Sequence, residues 1–304
     1  MSKLKKFFHY LIHDRDKIKV FLLHKFSYFY SDEQFLRKLY RLRIGEELNL
    51  ENPQTFCEKL QWLKLYNRKP EYTQMVDKYA VKEYVADIIG EEYIIPTLGV
   101  WDRVEDIDWD SLPNQFVLKC THDSGGLVIC KDKSTLDIKN AVRKLKKSMK
   151  RNYFYGNREW PYKNVPRRII AEQYMEIRGQ KDLPDYKFFC FDGEPKYCQV
   201  IRDRNTKETI DFYDMEWNHM PFVGLNPIAT NGETPVAKPL CIENMICICK
   251  KLSKNIPFSR IDLYVIDDKE YFGEITFFPA SGIGWFRPEE WNYTFGSWIK
   301  LPQK

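Results

Sequence analysis

The sequence predicts an α+β fold, with helices and antiparallel strands interleaved along the chain. Three observations support this prediction. The chain has 304 residues, of which 43% are hydrophobic, so it is long enough for a large buried core. Two long strand-like runs turn back at Asp192-Gly193 and near Asp267-Asp268, which indicates hairpins and therefore antiparallel pairing. Helical segments lie between these runs, and the hairpins argue against a doubly wound parallel sheet.

The first part of the chain is expected to be mostly helical. Apolar residues recur at helical spacing in DEQFLRKLYRLRIG, residues 32–45, and in TFCEKLQWLKLY, residues 55–66. The spacing of Thr55 and Glu58 matches a capping box at the start of the second segment. Residues 75–89, MVDKYAVKEYVADII, are predicted to form one further amphipathic helix.

Strands and two more helices follow. Single strands are predicted in EYIIPTLGVW, QFVLKCTH, LVICKD and RRIIAEQYME. The hairpins are DYKFFCFDGEPKYCQVIRDR and SRIDLYVIDDKEYFGEITFFP, and the helices are LDIKNAVRKLKKSMKRN and IENMICICKKLSKNI. We therefore divide the chain into a basic aromatic helical arm (residues 1–50), a further helical part (51–92) and two strand-rich subdomains (93–175 and 176–304).

The net charge of +5 is concentrated in the first 30 residues. Residues 1–30 hold seven lysines and arginines but only two aspartates, so the rest of the chain is neutral, and the same segment carries eight Phe and Tyr residues. A basic aromatic helix suits an anionic membrane surface or another anionic polymer. The competing interpretation is an ordinary helix packed on the body, with its lysines solvated. No nucleic-acid partner is expected, because no reader motif accompanies the charge.

Apolar runs and cysteines both indicate a cytoplasmic protein. No apolar run approaches the roughly 20 residues that span a bilayer, and no apolar core leads to a signal-peptide cleavage site. The eight cysteines include no C-x-x-C pair, so buried reduced thiols are expected rather than metal ligands or disulfides. Cys247 and Cys249 lie two apart in a predicted helix and should therefore point to different faces.

Charged residues cluster in the last hairpin. Arg260 and Asp262 lie two apart on one predicted strand, so they face the same side of the sheet. Glu274 and Thr276 do the same on the returning strand, and antiparallel pairing brings the four side chains together. Two carboxylates suit a hard divalent cation such as Mg²⁺, and an arginine beside them suits a phosphoryl group. A surface ladder of paired charges explains the pattern equally well.

Two further features are compatible with nucleotide binding. Lys119 lies on a predicted strand and is followed by HDSGG, residues 122–126, whose glycines let the backbone approach a phosphate. The run IIAEQYME places Glu172 at the end of an apolar strand, where backbone groups and apolar side chains can hold an adenine ring. An ordinary hairpin turn and a plain strand end are the alternative interpretations, and the sequence contains no Walker A motif.

Together and in this order, these features resemble the ATP-grasp superfamily over about residues 75–285. The resemblance implies an ATP-grasp fold, in which the nucleotide lies between a lid (residues 93–175) and a core (residues 176–304). It implies ATP-phosphate contacts for Lys78, Lys119 and the loop residues His122, Ser124, Gly125 and Gly126. It further implies adenine contacts for Glu172, Tyr174 and Met175, a ribose contact for Asp185, Mg²⁺ ligation by Asp262, Glu274 and Thr276, and a phosphoryl contact for Arg260.

The chain departs from the superfamily pattern at two points. Thr276 stands where the family has an asparagine, so one metal ligand would be a weaker hydroxyl or a water. No clear glycine-rich βαβ segment precedes Lys78. The phrases NPQTFCEKLQWLKLY, VLKCTHDSGG, DYKFFCFDGEPKY and EITFFPASGIGWFRPEEW resemble a narrower group, the TupA-like branch, across about residues 52–296. That branch is associated with teichuronopeptide, capsule and other bacterial surface polysaccharides.

The resemblance implies a ligase that phosphorylates a carboxylate with ATP and lets an amine displace the phosphate. The expected substrates are an amino acid or other amine and a uronic acid of a bacterial surface glycan or its precursor, with ATP and Mg²⁺ as cofactors. Arg260 and Lys119 would act in catalysis. Arg202 and Arg204 are either further phosphate or carboxylate contacts or solvated charges at the end of a hairpin.

Three other functions stay open. A sugar or polymer kinase would use the same fold. A glycosyltransferase is suggested by two D-x-D triplets within residues 106–110, although solvated loop charge explains them too. A non-catalytic binding protein is the third, because Thr276 replaces a metal ligand. For the ligase we expect a cytoplasmic location, peripheral at the inner face of the cell membrane if residues 1–30 contact it.

Overall fold

The structure is a computed structural model, and it describes residues 15–177, 184–202, 208–226 and 228–303. Helices surround two main antiparallel sheets, one of four strands and one of five. The predicted α+β class is confirmed, because every pair of adjacent strands in the sheets of these residues is antiparallel. In the part of the chain so described, no helix has both the length and the apolar character needed to cross a bilayer.

Helices make up most of the N-terminal region, as predicted. They are α1 (Arg15–Lys25), α2 (Asp32–Ile44), α3 (Phe56–Tyr66), α4 (Glu71–Val76) and α5 (Ala80–Ile89). The later helices are α6 (Ile138–Met149), α7 (Phe154–Asn157), α8 (Ile242–Leu252) and α9 (Glu290–Trp298). The predicted capping box is confirmed, because the Thr55 hydroxyl accepts from the Glu58 amide while the Glu58 carboxylate accepts from the Thr55 amide.

The prediction of a single helix over residues 75–89 is wrong. Helix α4 ends at Val76, and Asp77 is extended, with ψ at 113°. The Asp77 carboxylate accepts from the amides of Tyr79 (2.9 Å) and Ala80 (3.4 Å), which caps the start of α5. In the break, the Lys78 amide donates to the Thr121 carbonyl at 3.2 Å. Apolar spacing does not reveal such a break, yet the break is what places Lys78 next to the strand that carries Lys119.

The smaller sheet contains β1 (Thr97–Trp101), β2 (Phe116–Cys120), β3 (Leu127–Cys130) and β4 (Ile169–Gln173), in the order β1-β4-β2-β3. Alternation along β2 buries Phe116, Leu118 and Cys120 against α6 and leaves Lys119 on the opposite face. The first predicted strand is shorter than expected, since residues 91–93 form a short 3₁₀ turn. This sheet has a hydrophobic cluster of its own.

The larger sheet contains β5 (Asp185–Phe191), β6 (Glu194–Arg202), β7 (Thr209–Tyr213), β9 (Phe258–Ile266) and β10 (Lys269–Thr276), in the order β10-β9-β5-β6-β7. Strands β8 (Val223–Gly224) and β11 (Phe286–Arg287) pair separately. Both predicted hairpin turns are confirmed. Asp192 and Gly193 have φ of 51° and 87°, and Asp267 and Asp268 have φ of 51° and 60°, as tight hairpin turns require.

The main hydrophobic core joins the larger sheet to the N-terminal helices. Phe295 of α9 lies at its centre, with ring centroids 5.6 Å from Phe56 of α3 and 5.7 Å from Phe189 of β5. Helix α8 contributes its inner face, where Cys249 is buried while Cys247 is exposed, as predicted from their spacing. The core therefore fixes the N-terminal helices against the sheet that carries β9 and β10.

Candidate functional site

A cavity of about 450 Å³ lies between the two main sheets. Its walls come from β2, β4 and the loop 122–126 of the smaller sheet, from β5, β6, β9 and β10 of the larger sheet, and from the start of α5. The volume falls within the range of small-molecule sites, roughly 300–1,000 Å³. The family resemblance implies a nucleotide between these two parts of the chain, and the cavity is large enough for a small molecule there.

The last hairpin brings the four predicted side chains together at one end of this cavity. Asp262 and Glu274 are direct cross-strand partners, and Thr276 pairs with Arg260. The Arg260 guanidinium donates two hydrogen bonds to the Asp262 carboxylate, from Nε to Oδ1 at 2.6 Å and from a terminal nitrogen to Oδ2 at 2.7 Å. The same terminal nitrogen reaches Glu274 Oε1 at 3.2 Å and Thr276 Oγ1 at 3.1 Å.

A β-bulge at Gly273 sets this register. Phe272 pairs with Leu263 and Glu274 pairs with Asp262, so Gly273 is the additional residue on β10. A Cβ atom on Gly273 would lie 2.9 Å from the Asp262 carbonyl oxygen, closer than real Cβ contacts allow. Glycine is therefore needed here for the close approach of the two strands.

Lys187 completes the cluster, and sequence reasoning missed it. Its ammonium lies 2.8 Å from Asp185 Oδ2 and also contacts the Asp262 carboxylate. Lys187 lies two residues after Asp185 on β5, so both side chains face the cavity. The strand period could have revealed it once Asp185 was selected.

The two carboxylates of the cross-strand pair differ in acidity. Burial raises the pKa of Asp262 to about 6, although Arg260 and Lys187 act in the opposite direction. For Glu274, burial would also raise the pKa, but Lys78, Arg260 and Lys187 outweigh it and lower the pKa to about 2. The Glu274 side chain is 42% exposed. Glu274 is therefore the carboxylate that stays ionised and open to a ligand.

A second charge cluster lies on the opposite wall. Glu172 of β4 holds two lysines, with Lys82 Nζ 2.5 Å from Oε1 and Lys119 Nζ 2.5 Å from Oε2. These cations lower the pKa of Glu172 although its burial would raise it. Lys82 comes from α5 and was not predicted, because its pairing with Glu172 crosses a long stretch of sequence. The Glu172 side chain here binds lysines, in addition to any adenine contact of its backbone.

The Asp123 side chain stabilises the loop at residues 122–126 through hydrogen bonds within the loop. Its carboxylate accepts from the amides of Gly125 (3.2 Å) and Gly126 (3.0 Å) and contacts the Ser148 hydroxyl. Lys78 Nζ donates to the Asp123 carbonyl at 2.7 Å. Ser124 is exposed, and its hydroxyl lies 3.4 Å from the Tyr153 hydroxyl. In this conformation the glycine amides point to Asp123 rather than to a ligand.

Four other predicted residues are not part of the cavity wall. His122 is buried behind the loop, with Nε2 3.3 Å from the Ser148 carbonyl oxygen. Tyr174 and Met175 follow the end of β4, outside the wall. Arg202 donates to the Asp211 carboxylate (2.9 Å) and the Thr234 carbonyl (2.7 Å).

Two predicted features remain. Arg204 lies outside the described residues. In the D-x-D region, Asp108 accepts from the amides of Asp110 and Ser111 at 3.2 Å each, which is an ordinary turn-capping arrangement.

Apolar residues complete the wall and were also missed. They include Val81, Ile94, Ile95, Ile201 and Phe272. These positions come from four separate parts of the chain, so no local pattern in the sequence groups them. A cavity with charged and apolar surfaces suits a ligand with an anionic part and a flat apolar part.

The described residues contain no group of three or more His, Cys, Asp or Glu side chains arranged to hold a metal ion. Asp262 and Glu274 nevertheless supply carboxylate oxygens at one point of the cavity. Two carboxylates fit a hard cation such as Mg²⁺ that takes its other ligands from phosphates and water.

A model of the TupA-like ATPgrasp family matches residues 58–300. No curated protein sequence matches the chain significantly.

Solved structures of similar fold include two D-alanine–D-alanine ligases. The Bacillus anthracis enzyme complexed with ATP is 16% identical, with a TM-score of 0.40 over 68% of this chain and 54% of that one. The Helicobacter pylori enzyme is 12% identical, with a TM-score of 0.42 over 81% of this chain and 68% of that one. A phosphoribosylamine–glycine ligase from Thermotoga maritima is 11% identical, with a TM-score of 0.42 over 68% and 48%. The chain thus spans only about half the length of the first of these proteins.

Proposed function

This chain belongs to the TupA-like ATP-grasp family, and from that premise we propose that it is an ATP-dependent ligase that joins a carboxylate to an amine. The nucleotide would occupy the cavity between the two sheets. Those of the residues named for ATP and metal binding that line the cavity, together with Thr276 beside them, keep the roles that the family resemblance implies, and these roles are part of the proposal.

One observation carries the proposal: cations converge on the cavity from both sheets. Those of the described residues are Lys78, Lys82, Lys119, Lys187 and Arg260. Each is held by a carboxylate or a carbonyl oxygen. Phosphate oxygens can take over such bonds with similar geometry, so the cavity is prepared for a polyanion without carrying a large unbalanced charge.

The reaction would proceed in two steps. In the first, a substrate carboxylate oxygen attacks the γ-phosphorus of ATP, which forms an acyl phosphate and releases ADP. Lys119 and Arg260 would balance the charge on the transferring group, as preorganised cations do in phosphoryl transfer. In the second, an amine nitrogen attacks the acyl carbon, the phosphate leaves, and the nitrogen loses a proton to give the amide.

Asp262 and Glu274 would hold Mg²⁺, with Thr276 contributing a hydroxyl or orienting a water. The ion would supply charge neutralisation between the phosphates. In the structure, Arg260 and Lys187 both contact the Asp262 carboxylate. Binding of Mg²⁺ would therefore require Asp262 to give up part of these contacts. Glu274 needs no deprotonation, because its pKa is already lowered to about 2 despite its partial burial.

The substrates follow from the family's association with bacterial surface polysaccharides. We propose a uronic acid of a capsule or other surface glycan, or its precursor, as the carboxylate, and an amino acid or other amine as the second substrate. Arg202 and Arg204 are then candidates for contact with the larger substrate. The enzyme would act in the cytoplasm, with residues 1–30 near the anionic glycan or the membrane that carries its lipid-linked precursor.

A product assay tests the proposal. The full chain is incubated with ATP, Mg²⁺, candidate uronic acids and amines, and both ADP and phosphate are quantified. A ligase releases the two in equal amounts only when both substrates are present. ADP without free phosphate would instead identify a kinase that uses the same cavity. Failure of ATP to bind at all would contradict both.

A further inference from the structure

Helix α1 has apolar residues on two opposite faces. Val20 and Leu23 are buried against the main core. Phe21 and Leu22 point away from the body and are 56% and 42% exposed. A helix that only packs on a domain places polar residues on its outer side. The outer side of α1 is therefore suited to a second apolar contact.

The turn after α1 extends this exposed surface. Phe26 is 44% exposed, Tyr28 73% and Phe29 84%. The rings of Phe26 and Phe29 lie 6.3 Å apart. We call Phe21, Leu22, Phe26, Tyr28 and Phe29 the aromatic ridge. Large aromatic side chains clustered in water usually mark an interaction surface.

The aromatic ridge is held rigidly from behind. Arg158, which is buried, donates to the Ser27 carbonyl at 2.6 Å and pairs with Asp32 at 2.9 Å. Its guanidinium also lies 4.3 Å from the centre of the Phe35 ring. The Tyr28 ring packs 4.4 Å from Tyr155. These contacts fix the ridge on the body, so its exposure is a property of the fold rather than of a frayed helix end.

Basic residues flank the ridge in the sequence. Between positions 15 and 29 the sequence has four lysines and arginines and a single aspartate. Lys17, Lys19 and Lys25 are exposed, and the Lys25 ammonium lies 5.6 Å from the centre of the Phe26 ring. Three more lysines and three more aromatic residues precede position 11 in the sequence.

We propose that the aromatic ridge docks the enzyme on an anionic lipid bilayer. The rings would enter the headgroup region while the lysines remain at the phosphate level, a combination typical of interfacial helices. Centres of protein interfaces are depleted in lysine, so the lysines mixed with the ridge favour a membrane over a protein partner. This inference selects the membrane over the anionic glycan as the contact of this segment, and it would hold for any reaction in the cavity.

Vesicle flotation of the full chain tests the inference. We expect binding to vesicles that contain phosphatidylglycerol, weaker binding to pure phosphatidylcholine, and loss of binding at high salt. The double variant F21S/F29S should bind anionic vesicles about tenfold more weakly, because two inserted rings are lost. The matched control is I228S/L240S, which changes two residues that are each 86% exposed elsewhere on the surface.

Two further measurements, thermal melting and ATP binding, test whether the substitutions affect membrane binding alone. Thermal melting and ATP binding should be unchanged in F21S/F29S, because both side chains lie on the surface away from the cavity. Equal flotation of F21S/F29S and the wild type would overturn the inference, as would failure of the wild type to float. If light scattering shows that the substitution instead converts a dimer to a monomer, the ridge is a contact between copies and the membrane role is wrong. ATP turnover that fails while flotation succeeds would reject only the ligase.

Discussion

Two charge clusters lie near the end of β10, and they differ in what their charged groups face. The cavity cluster, built around Arg260, Asp262 and Glu274, opens to the cavity. The sealed cluster lies behind the loop that follows β10. There the Lys64 ammonium, fully buried, donates to Gln61 Oε1 at 3.0 Å and to the Ser281 carbonyl at 2.8 Å. The first cluster pairs ion with ion, whereas the second binds its lysine with fixed backbone and amide groups.

The sealed cluster maintains an unusual backbone. Ala280, Ser281 and Gly282 have φ of 47°, 53° and 62°, so three successive residues are left-handed. For each non-glycine residue this conformation costs roughly 1 kcal/mol or more. Lys64 holds the Ser281 carbonyl, and the Ser281 hydroxyl donates to buried Glu159 at 2.5 Å. These bonds offset the cost and shape the chain just after Thr276.

The difference teaches that burial of a charge does not by itself indicate a binding site. Burial lowers the pKa of Lys64 to about 8, although Glu159 opposes this, and burial raises the pKa of Glu159. These perturbed groups have no opening to a ligand in the structure. In the cavity cluster Arg260 and Asp262 line the cavity and Glu274 is 42% exposed, so a ligand can replace their partners. Accessibility, rather than the pKa shift, separates the two roles.

The largest effect is expected from Glu274→Gln in the cavity cluster. Loss of this charge should lower ATP turnover about a thousandfold, because metal ligation and charge balance at the phosphates both depend on it. Steady-state kinetics of ADP release measures the change, and circular dichroism checks the fold. Glu270→Gln, on the same strand outside the cavity, is the control, since glutamine can still accept from Asn244. Full activity of Glu274→Gln would reject the metal assignment.

Lys64→Met, in the sealed cluster, should lower the stability of the fold. The substitution removes a positive charge that favours the ionised form of buried Glu159, and it removes the donor to Ser281, so we expect a loss of about 3 kcal/mol in the free energy of unfolding. Urea titration measures it. Lys59→Met on the same helix is the control, because among the described residues Lys59 donates to one acceptor, the Ile299 carbonyl at 2.9 Å. Equal losses in the two variants would contradict a special role of the sealed cluster.

Lys119→Met should weaken ATP binding and change the stability of the fold only slightly. The Lys119 side chain is 26% exposed, and Glu172 keeps Lys82 as a partner, so the free energy of unfolding should fall by less than about 1 kcal/mol. The Kd for ATP should rise about tenfold or more, because one cation at the phosphates is lost. Isothermal titration with ATP and Mg²⁺ measures the affinity. A large loss of stability with unchanged affinity would place Lys119 with the sealed cluster.

Sequence reasoning succeeded where local geometry carries the information. The strand period placed Arg260 with Asp262 and Glu274 with Thr276, and tight-turn residues located both hairpins. It failed where a side chain contacts a residue that is distant in the sequence. Lys82 meets Glu172 and Lys64 meets Ser281 only after the sheets and helices have packed. The break at Asp77 was missed for a related reason, because a side-chain cap overrides apolar spacing there.

The smallest expected effect concerns acid stability and distinguishes the two carboxylates of the cavity cluster. The pKa of Glu274 is lowered from 4.5 to about 2 by Lys78, Arg260 and Lys187, which outweigh its burial. Its contribution to stability is therefore complete above about pH 4.5 and is lost as the pH falls towards 2, since the unfolded chain takes up the proton first. Asp262 has the opposite sign, because burial raises its pKa from 3.8 to about 6. Its ionisation costs stability as the pH rises through that interval.

Urea unfolding of the wild type and Glu274→Gln across the acid range measures the Glu274 contribution. The variant should lack this part of the acid destabilisation, a difference of less than about 1 kcal/mol, because the 42% exposed side chain is screened by water. Glu270→Gln again serves as the control. Parallel pH profiles for wild type and Glu274→Gln would mean that the cations do not hold Glu274 ionised. The cavity cluster would then resemble the sealed cluster in having a structural role, rather than being a charged site prepared for a ligand.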